Sequence, residues 1–336
     1  MFDLYKMLDL YYLFGIFPYY CVKSSIVCLA SNKSILNWFI SSNNKSISSV
    51  ITGESWELST VPNDVSVVKN GFLKEKNVNE LIELYPTEFL GSEVIARFGN
   101  EFPLLFKFLD AKQDLSIQLH PNDELAKKRH NSLGKTEMWY VMQADEKANI
   151  IVGFKENSNP EEYKKALENK NLVSILNIVE VKAGDVFFLE TGTIHAIGAG
   201  IVIAEIQQTS DVTYRVYDFD RVDADGNCRE LHTELALDAI NYNTTEAYVS
   251  YDSKINKSNE VVHCDYFKTN IIPLVETYQW KKSKDAFTVL MCTQGEFVLE
   301  FDNKITSYKM GDTVLLPAIL EEVLLRGKAT LLEISI

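Results

Sequence analysis

The sequence predicts a mainly β protein, with antiparallel strands arranged in two modules. Short runs of β-branched and aromatic residues recur along most of the 336-residue chain, and helical patterns are confined to a few inserts. A weak internal repeat indicates a duplicated unit, and a chain of 336 residues exceeds what one hydrophobic core usually fills. We therefore expect antiparallel barrels or sandwiches rather than a doubly wound parallel sheet.

Residues 1–50 differ in composition from the rest of the chain, and we expect them to be an atypical segment that is disordered or non-native. The start places Asp3 and Asp9 around a single Lys6, which is a poor basic region for a secretory signal. The apolar run Leu10–Val22 is short for a membrane span. The pattern therefore favours neither secretion nor membrane anchoring.

From residue 51 onward, strand-like segments alternate with turns and a few helices. The predicted strands are Glu54–Leu58, Leu115–Leu119, Met138–Met142, Ala148–Gly153, Val186–Leu189, Ile201–Gln207 and Val212–Phe219. The predicted helices are Val78–Leu84, Glu124–Arg129, a helix that starts at Pro160 and ends before Asn169, and Thr233–Ile240. We assign residues 51–245 to a metal-binding module with helical insertions, and residues 246–336 to a second module.

The internal repeat relates one segment of each module. Lys182–Leu189 resembles Lys309–Leu316, since both carry a Gly-Asp turn that leads into an apolar strand. His195 follows the first glycine by 11 residues, whereas Glu322 stands at the same distance from the second glycine. We expect the second module to keep the scaffold of the first but to bind no metal.

Composition excludes several classes of function. The chain has 33 Lys and Arg against 47 Asp and Glu, a net charge of −14. Such a balance argues against binding to nucleic acid or to an anionic membrane, but a local basic cluster would still accept a small anion. The five cysteines form no CxxC pair, so neither a disulfide framework nor a thiolate zinc site is favoured. A reducing, cytoplasmic setting fits this pattern.

Three short segments carry the candidate chemistry. Gln118 and His120 are two residues apart on a predicted strand, so their side chains share a face. The same spacing places Lys135 beside Glu137, and His195 lies at a turn that enters a strand. Two imidazoles, a carboxylate and an amide suit a borderline divalent ion such as zinc, with positions left open for substrate. The other histidines are interpreted as surface or structural residues: His130, His232 and His263.

Five segments, in this order, carry a resemblance to a known family: Gly53–Glu57, Gln118–Pro121, Gly134–Glu137, Gly192–Ala196 and Thr213–Asp218. Together they resemble the short bacterial form of the type I mannose-6-phosphate isomerases, or phosphomannose isomerases, of the cupin superfamily. The resemblance runs from about residue 53 to the end of the chain. It implies two cupin-type jelly-roll modules with a small helical insertion. It also implies an aldose–ketose isomerase, which interconverts mannose 6-phosphate and fructose 6-phosphate through an enediol.

The resemblance also implies roles for individual residues. It implies one zinc ion per chain, with four ligands: Gln118, His120, Glu137 and His195. It implies a catalytic role for Arg215 and a place for Lys135 in the substrate site. The group that moves the proton stays open among Glu205, Asp211 and a water on the metal. The expected partner is a small sugar phosphate, with no nucleic acid and no membrane.

Several alternatives accompany this interpretation. The family usually opens with a Phe-x-Pro strand, a Lys-Glu pair and a Trp-Gly-Gly turn, and residues 1–50 contain none of these. The chain could therefore be an isomerase inactivated by an aberrant start. A cupin that binds sugar phosphates without turnover is a second alternative. A metal oxygenase is a third, although oxygenases favour iron with a third histidine rather than an amide ligand.

Overall fold

The structure is a computed structural model that describes residues 52–68, 73–222 and 225–336. The expectation for residues 1–50 therefore lies outside the described residues. Strands dominate the described ranges, which confirms the prediction of a mainly β protein. The strands are β1 Thr52–Leu58, β2 Leu104–Ala111, β3 Ile117–Leu119, β4 Glu137–Ala144, β5 Asn149–Phe154, β6 Leu176–Glu180, β7 Val186–Leu189, β8 His195–Ile197, β9 Ile201–Gln208, β10 Tyr214–Tyr217, β11 Asn259–His263, β12 Lys268–Lys281, β13 Thr288–Phe301, β14 Lys304–Lys309, β15 Thr313–Leu316 and β16 Glu322–Ser335.

The helices are short, and a single 3-10 turn, Leu172–Ile175, accompanies them in the described ranges. They are α1 Val78–Leu84, α2 Pro86–Leu90, α3 Ser92–Phe98, α4 Asp123–His130, α5 Pro160–Glu168 and α6 Thr233–Leu237. Four of the six match predicted helices, although α6 ends three residues earlier than expected. Three starts use an asparagine cap: Asn77 accepts from the backbone of Glu80, Asn122 from that of Leu125, and Asn159 from that of Glu162.

The described chain divides into two compact units. The first unit holds residues 52–55 and 106–249, and its strands form two five-stranded antiparallel sheets. One sheet has the order β1-β2-β9-β4-β7, and the other has the order β10-β3-β8-β5-β6. The candidate ligands lie on strands of both sheets, so the interior between the sheets is where the site is built.

The core of the first unit joins its two sheets. Trp139 and Ile203 of one sheet belong to the same buried cluster as Ile150 and Val152 of the other. Each of these side chains is at most 2% exposed. A separate apolar cluster, which includes Tyr163 of α5, covers the sheet that carries β3 and β10. The sheet that carries β3 and β8 therefore packs against an apolar cluster on each face.

The second unit holds the described residues of 56–105 and 250–336. Its sheet has the order β11-β12-β16-β13-β14, and β15 also pairs with β13. Three of these strands, β12, β13 and β16, are each 14 residues long. Trp280, Leu290, Phe297 and Leu331 lie in one buried apolar cluster that these strands enclose.

Helices α1 to α3 belong to the second unit. The backbone N–H of Phe287 donates to the carbonyl of Leu90, and that of Ala318 donates to the carbonyl of Phe89, both at 3.1 Å. The predicted module over residues 51–245 includes this helical stretch. Its main-chain bonds run to the residues just before β13 and just after β15.

The predicted repeat has the same turn in both units. Gly184 has a φ of 91° and Gly311 a φ of 84°, a conformation that strongly favours glycine. In each copy the carboxylate of the following residue, Asp185 or Asp312, accepts from the backbone N–H three residues before it at 2.9 Å. The Gly-Asp signal seen in the sequence therefore encodes the same hydrogen-bonded turn twice.

The strand pairing shows that the repeat also includes equivalent positions on the paired strands of each unit. Trp139 on β4 lies opposite Glu205 on β9, and Leu290 on β13 lies opposite Glu333 on β16. Both pairs precede a bulge at the same distance along the strand. Glu205 and Glu333 therefore occupy equivalent interior positions, which is the basis for comparing the units below.

Among the described residues, no helix has both the length and the apolar character needed to cross a bilayer.

Candidate functional site

Three of the predicted ligands converge inside the first unit. One ligand atom from each of His120, Glu137 and His195 lies within 4.8 Å of the others. All three side chains are at most 2% exposed. It is the one group of His, Cys, Asp or Glu in the described chain with such geometry. The convergence predicted from residue spacing is therefore present.

Strand pairing explains this convergence. Gln118 lies opposite His195 where β3 pairs with β8, and opposite residues of an antiparallel pair point to the same face. His120 follows Gln118 by two residues and shares its face, while Glu137 opens β4. Gln118 is half-buried, and its side chain points to the same face of the sheet as that of His195.

Main-chain carbonyls orient both imidazoles. His120 Nδ1 lies 2.9 Å from the carbonyl oxygen of Val212, and His195 Nδ1 lies 2.8 Å from that of Thr193. A carbonyl can only accept, so each Nδ1 carries the proton and each Nε2 keeps its lone pair. Both Nε2 atoms lie 3.5 Å from the Glu137 carboxylate. Both rings thus present an unprotonated Nε2, the atom through which an imidazole can bind a metal.

Burial controls the charges of these groups. Burial, followed by the positive charge of Lys135, holds the pKa of His120 well below its ordinary range. Burial also lowers the pKa of His195 to about 4. Burial and the nearby Glu205 carboxylate raise the pKa of Glu137 to about 7. Near neutral pH both imidazoles are therefore uncharged and free to bind a cation.

The donor atoms fit a divalent ion. Glu137 Oε1 and His195 Nε2 are buried, and neither has a hydrogen-bond partner among the described residues. Two lone pairs that face each other without a proton repel unless a positive group lies between them. Two nitrogens and a carboxylate oxygen are a donor set that zinc accepts. The residues present therefore fit the metal that the family resemblance implies.

Lys135 lies directly against the ligands. Its Nζ is 3.0 Å from Glu137 Oε2, 3.2 Å from His120 Nε2 and 3.8 Å from Glu205 Oε1. The side chain is only 5% exposed. The prediction that this ammonium lies within reach of the ligands is thus met by the geometry.

Lys107 was missed by the sequence analysis. Its Nζ lies 2.9 Å from Glu54 and 3.4 Å from Glu205, and the side chain is 7% exposed. Burial alone would lower the pKa of Lys107, but these two carboxylates outweigh it and raise the pKa above its ordinary value. A signal was present in the sequence, because this lysine interrupts the otherwise apolar start of β2. A charge in such a strand is seldom buried without a partner.

Glu205 links the two lysines. Its carboxylate also accepts from Trp139 Nε1 at 3.0 Å. Burial favours the neutral acid, but the charges of Lys135 and Lys107 outweigh it and lower the pKa of Glu205. Glu205 therefore stays ionised and fixes both ammonium groups beside the ligand cluster.

Arg215 is half-buried on the same face as the ligands. It lies opposite Gln118 in the pairing of β10 with β3. Its Nε donates to Ser116 Oγ at 3.3 Å, and its Nη1 donates to the carbonyl of Glu230 at 3.1 Å. The guanidinium thus points along β3, away from His120.

The remaining candidates lie outside the cluster. Asp211 is exposed in the loop between β9 and β10, one residue before the carbonyl that orients His120. His130 contacts Tyr214 Oη at 2.9 Å, and His263 contacts Asn270 at 2.9 Å. The Nδ1 of His232 accepts from the backbone N–H of Arg215 at 3.1 Å.

Known proteins are similar to this chain in sequence and in fold. The family model for the phosphomannose isomerase type I catalytic domain matches residues 29–165, and that for the mannose-6-phosphate isomerase cupin domain matches residues 257–336. The chain is 38% identical to the mannose-6-phosphate isomerase ManA of Bacillus subtilis strain 168 over 282 residues, which cover 83% of this chain and 87% of that protein. The chain belongs to the type I phosphomannose isomerases.

Other phosphomannose isomerases are also similar to this chain. The mannose-6-phosphate isomerase of Streptococcus mutans is 45% identical over 208 residues, covering 61% of this chain and 64% of that protein. A crystal structure of the mannose 6-phosphate isomerase from Bacillus subtilis superposes with a TM-score of 0.79 at 33% identity, covering 87% of this chain and 92% of that one. A putative mannosephosphate isomerase from Archaeoglobus fulgidus, with a TM-score of 0.68 at 22% identity, shows the shared fold.

Membership in the phosphomannose isomerases confirms two predictions. The fold class, a mainly β cupin architecture, is that of the family. The expected enzyme class, an aldose–ketose isomerase, is also that of the family. The match to the catalytic-domain model begins at residue 29, earlier than the resemblance from about residue 53 had indicated. The described residues do not include that earlier segment.

Proposed function

We propose that this chain interconverts mannose 6-phosphate and fructose 6-phosphate. The observation that carries the proposal is the buried His120–Glu137–His195 cluster with the Lys135 ammonium against it. Such a cluster offers a metal site and a fixed positive charge in one water-poor interior. The substrate is a small sugar phosphate, and the net charge of −14 speaks against nucleic acid or an anionic membrane as partners. We infer a cytoplasmic setting from the absence of a disulfide framework among the cysteines of the sequence.

The proposed cofactor is one zinc ion per chain. Gln118, His120, Glu137 and His195 would hold it, the first through its amide oxygen. Bound zinc supplies a Lewis acid that polarises a sugar oxygen and orients the open-chain sugar. The neutral state of both imidazoles near pH 7 supports this proposal, since no proton has to leave either ring before a metal binds.

The proposed reaction moves a proton between C1 and C2 of the open-chain sugar through an enediol. Negative charge develops on the sugar oxygens during this transfer, and a preorganised cation in a low-dielectric site stabilises it. Lys135 is such a cation, because Glu137 and Glu205 hold it within 4 Å of their carboxylates. We assign Arg215 to the same substrate site, on the ligand face of β10.

Two carboxylates are proposed as the groups that move the proton. The lowered pKa of Glu205 suits a fixed counter-ion for the lysines better than a base. Asp211 is exposed in the loop whose Val212 carbonyl orients His120. Exchange of the C2 hydrogen with deuterated solvent, measured for Glu205→Gln and Asp211→Asn, separates them. The base is the residue whose loss abolishes exchange while substrate still binds.

A coupled assay tests the main proposal. Formation of fructose 6-phosphate from mannose 6-phosphate is measured with and without a chelator, and zinc is determined in the purified protein. His195→Ala should lose zinc and turnover together. Glu322→Ala is the matched control, since Glu322 stands at the equivalent point of the repeat and is exposed. Turnover that survives in His195→Ala would contradict the proposal, and binding of the sugar phosphate without turnover in the wild type would favour a binding protein.

A further inference from the structure

Two buried glutamines end strand β9, beside a candidate metal ligand. We call Gln207 and Gln208 the glutamine clasp. Both side chains are at most 3% exposed. Gln207 lies directly opposite Glu137 where β9 pairs with β4, so the clasp begins at the register of a candidate ligand. Burial of an amide is unfavourable unless hydrogen bonds compensate for it, so the contacts of the two side chains show what the clasp holds in place.

Gln207 holds the loop that follows it. Its Nε2 donates to the carbonyl of Gln208 at 2.9 Å and to that of Ser210 at 2.7 Å. Its Oε1 is buried and has no hydrogen-bond partner among the described residues. A reversed amide would turn its oxygen toward two other acceptors, so the donor side has to face the loop. The contribution of Gln207 is therefore made by its two N–H groups.

Ser210 connects Gln207 to Val212. The Oγ of Ser210 donates to the carbonyl of Leu133 at 2.8 Å and accepts from the backbone N–H of Val212 at 3.4 Å. The carbonyl oxygen of Val212 is the atom that lies 2.9 Å from His120 Nδ1. A series of hydrogen bonds in one short loop therefore leads from the amide of Gln207 to the ring of His120.

Gln208 joins the same loop to the segment that carries Lys135. Its Oε1 accepts from the backbone N–H of Thr136 at 2.8 Å, and its Nε2 donates to Asp123 Oδ1 at 3.0 Å. The same oxygen of Asp123 accepts from the backbone N–H of Gly134 at 2.7 Å. The clasp thus joins the start of α4, the residues just before β4 and the loop before β10.

We propose that the glutamine clasp orients His120 for metal binding, and that Gln207 is a positioning residue of the metal site. This inference rests on the proposed function, because it takes the cluster of His120, Glu137 and His195 to be a metal site. A neutral imidazole binds a metal through Nε2 only if Nδ1 keeps the proton, and the acceptor beside Nδ1 decides this. Without the clasp the carbonyl of Val212 should move, so that the tautomer with a protonated Nε2 becomes populated.

The zinc affinity of Gln207→Leu tests the proposal. Leucine is similar in size to glutamine but donates no hydrogen bond to the loop. The dissociation constant of zinc, measured by competition with a chelator, should rise about 10-fold, as on removal of a group that orients a metal ligand. Turnover at limiting zinc should fall with it and should recover when zinc is in excess. A side chain that only supports folding would lower the midpoint of denaturant unfolding and leave the zinc affinity of the folded protein unchanged.

Asn259→Leu is the matched control. Asn259 is 6% exposed and lies in the second unit. Its Nδ2 likewise donates to main-chain carbonyls, among them those of Lys254 at 3.0 Å and Lys257 at 2.9 Å. This variant should unfold at lower denaturant concentration but keep the zinc affinity and turnover of the wild type. A zinc dissociation constant of Gln207→Leu no higher than that of Asn259→Leu would overturn the proposal.

Ser210→Ala tests the same loop with a smaller change. It removes the hydroxyl that accepts from Val212. Its zinc dissociation constant should lie between those of Asn259→Leu and Gln207→Leu. If Gln207→Leu does not fold, Ser210→Ala decides the question, and a wild-type zinc affinity in Ser210→Ala would then overturn the proposal.

Nitrogen NMR of the His120 ring separates this inference from the proposed function. In the zinc-free wild type Nδ1 should carry the proton and Nε2 should not, whereas Gln207→Leu should show a mixture of both tautomers. If that difference is found but the wild type neither binds zinc nor isomerises mannose 6-phosphate, the clasp orients His120 and the proposed function is wrong. The same His120 spectrum in both proteins would overturn the role of the clasp, even in an active enzyme.

Discussion

The two units share a strand arrangement but differ in the chemistry of their interiors. In the first unit Glu205 lies among cations, with Lys107 Nζ at 3.4 Å and Lys135 Nζ at 3.8 Å. In the second unit the equivalent Glu333 accepts from neutral donors, among them Trp280 Nε1 at 2.6 Å and Asn270 Nδ2 at 3.3 Å. One scaffold position can therefore serve a charged network or a neutral one, depending on a few neighbours.

The candidate metal ligands show the same contrast. Glu137 lies opposite Leu189 on β7, and in the second unit Thr288 lies opposite Leu316 on β15. The equivalent of a ligand carboxylate is thus a hydroxyl. Among the described residues, His120, Glu137 and His195 form the one group with metal-site geometry. That the second copy binds no metal stays a prediction.

Replacing Glu137 should have the largest effect. Glu137→Gln removes the negative ligand, so zinc should be lost and turnover should fall about 1000-fold, since a metal contributes several kcal/mol to the transition state. Metal analysis and the coupled assay measure both quantities. Thr288→Ala, at the equivalent position of the second unit, should change neither. Equal metal content in the two variants would contradict the contrast between the units.

Replacing Lys107 should affect stability next most strongly. Lys107→Met leaves the buried Glu205 with one cation fewer, and breaking a buried ion pair costs about 3–5 kcal/mol. Denaturant unfolding measures the loss. Lys282→Met is the control in the second unit, because Lys282 is 14% exposed and its partners Asp285 and Glu321 are largely solvated. A loss no greater than that of the control would show that the interior charge network contributes little.

Replacing Glu333 should have a smaller effect. Glu333→Gln turns one acceptor oxygen into a donor amide that faces other donors, which costs about 1–2 kcal/mol of unfolding free energy. Turnover should stay at the wild-type level, because the contacts of Glu333 lie within the second unit. Glu205→Gln, by contrast, should lower turnover in addition to stability, since Lys107 and Lys135 lose a shared partner. Equal turnover in Glu205→Gln and Glu333→Gln would contradict the difference in chemistry between the interiors of the two units.

The smallest expected effect is a loss of stability at acid pH. Burial favours the neutral acid of Asp218, but the bonds from Arg229 and Arg221 outweigh it and lower its pKa below the ordinary 3.8. The unfolded carboxyl therefore takes up its proton at higher pH than the folded one. The contribution of Asp218 to stability is present above about pH 4 and is lost as the pH falls through the folded pKa. Below pH 4 the unfolding free energy of the wild type should fall more steeply than that of Asp218→Asn, and parallel curves would contradict this.

Local signals in the sequence predicted many of the elements. Asn77 placed the start of α1, and the Gly-Asp turns placed β7 and β15. The strand predicted over Val212–Phe219 is shorter in the structure because the carbonyl of Val212 bonds to His120 instead of to a neighbouring strand. The pairing of helical residues near Leu90 with Phe287 could not be predicted, since long-range contacts leave no periodic pattern.

Local spacing in the sequence also predicted part of the candidate site. Spacing of two residues along a strand brought His120 and Glu137 into the ligand set. Lys107 and its bonds to Glu54 and Glu205 were missed, because those bonds join three strands whose order the sequence does not state. Charge pairs across a sheet depend on register, which only the fold specifies.

The carbonyls that receive the Nδ1 protons of His120 and His195 belong to the main chain. Every amino acid at positions 193 and 212 supplies that oxygen, so no point substitution can delete it. The orientation of the two rings therefore depends on the backbone conformation of these loops and not on which residues occupy positions 193 and 212. Relatives could diverge at these two positions and still present the same pair of nitrogens, and an insertion in either loop would do more harm than a change of side chain.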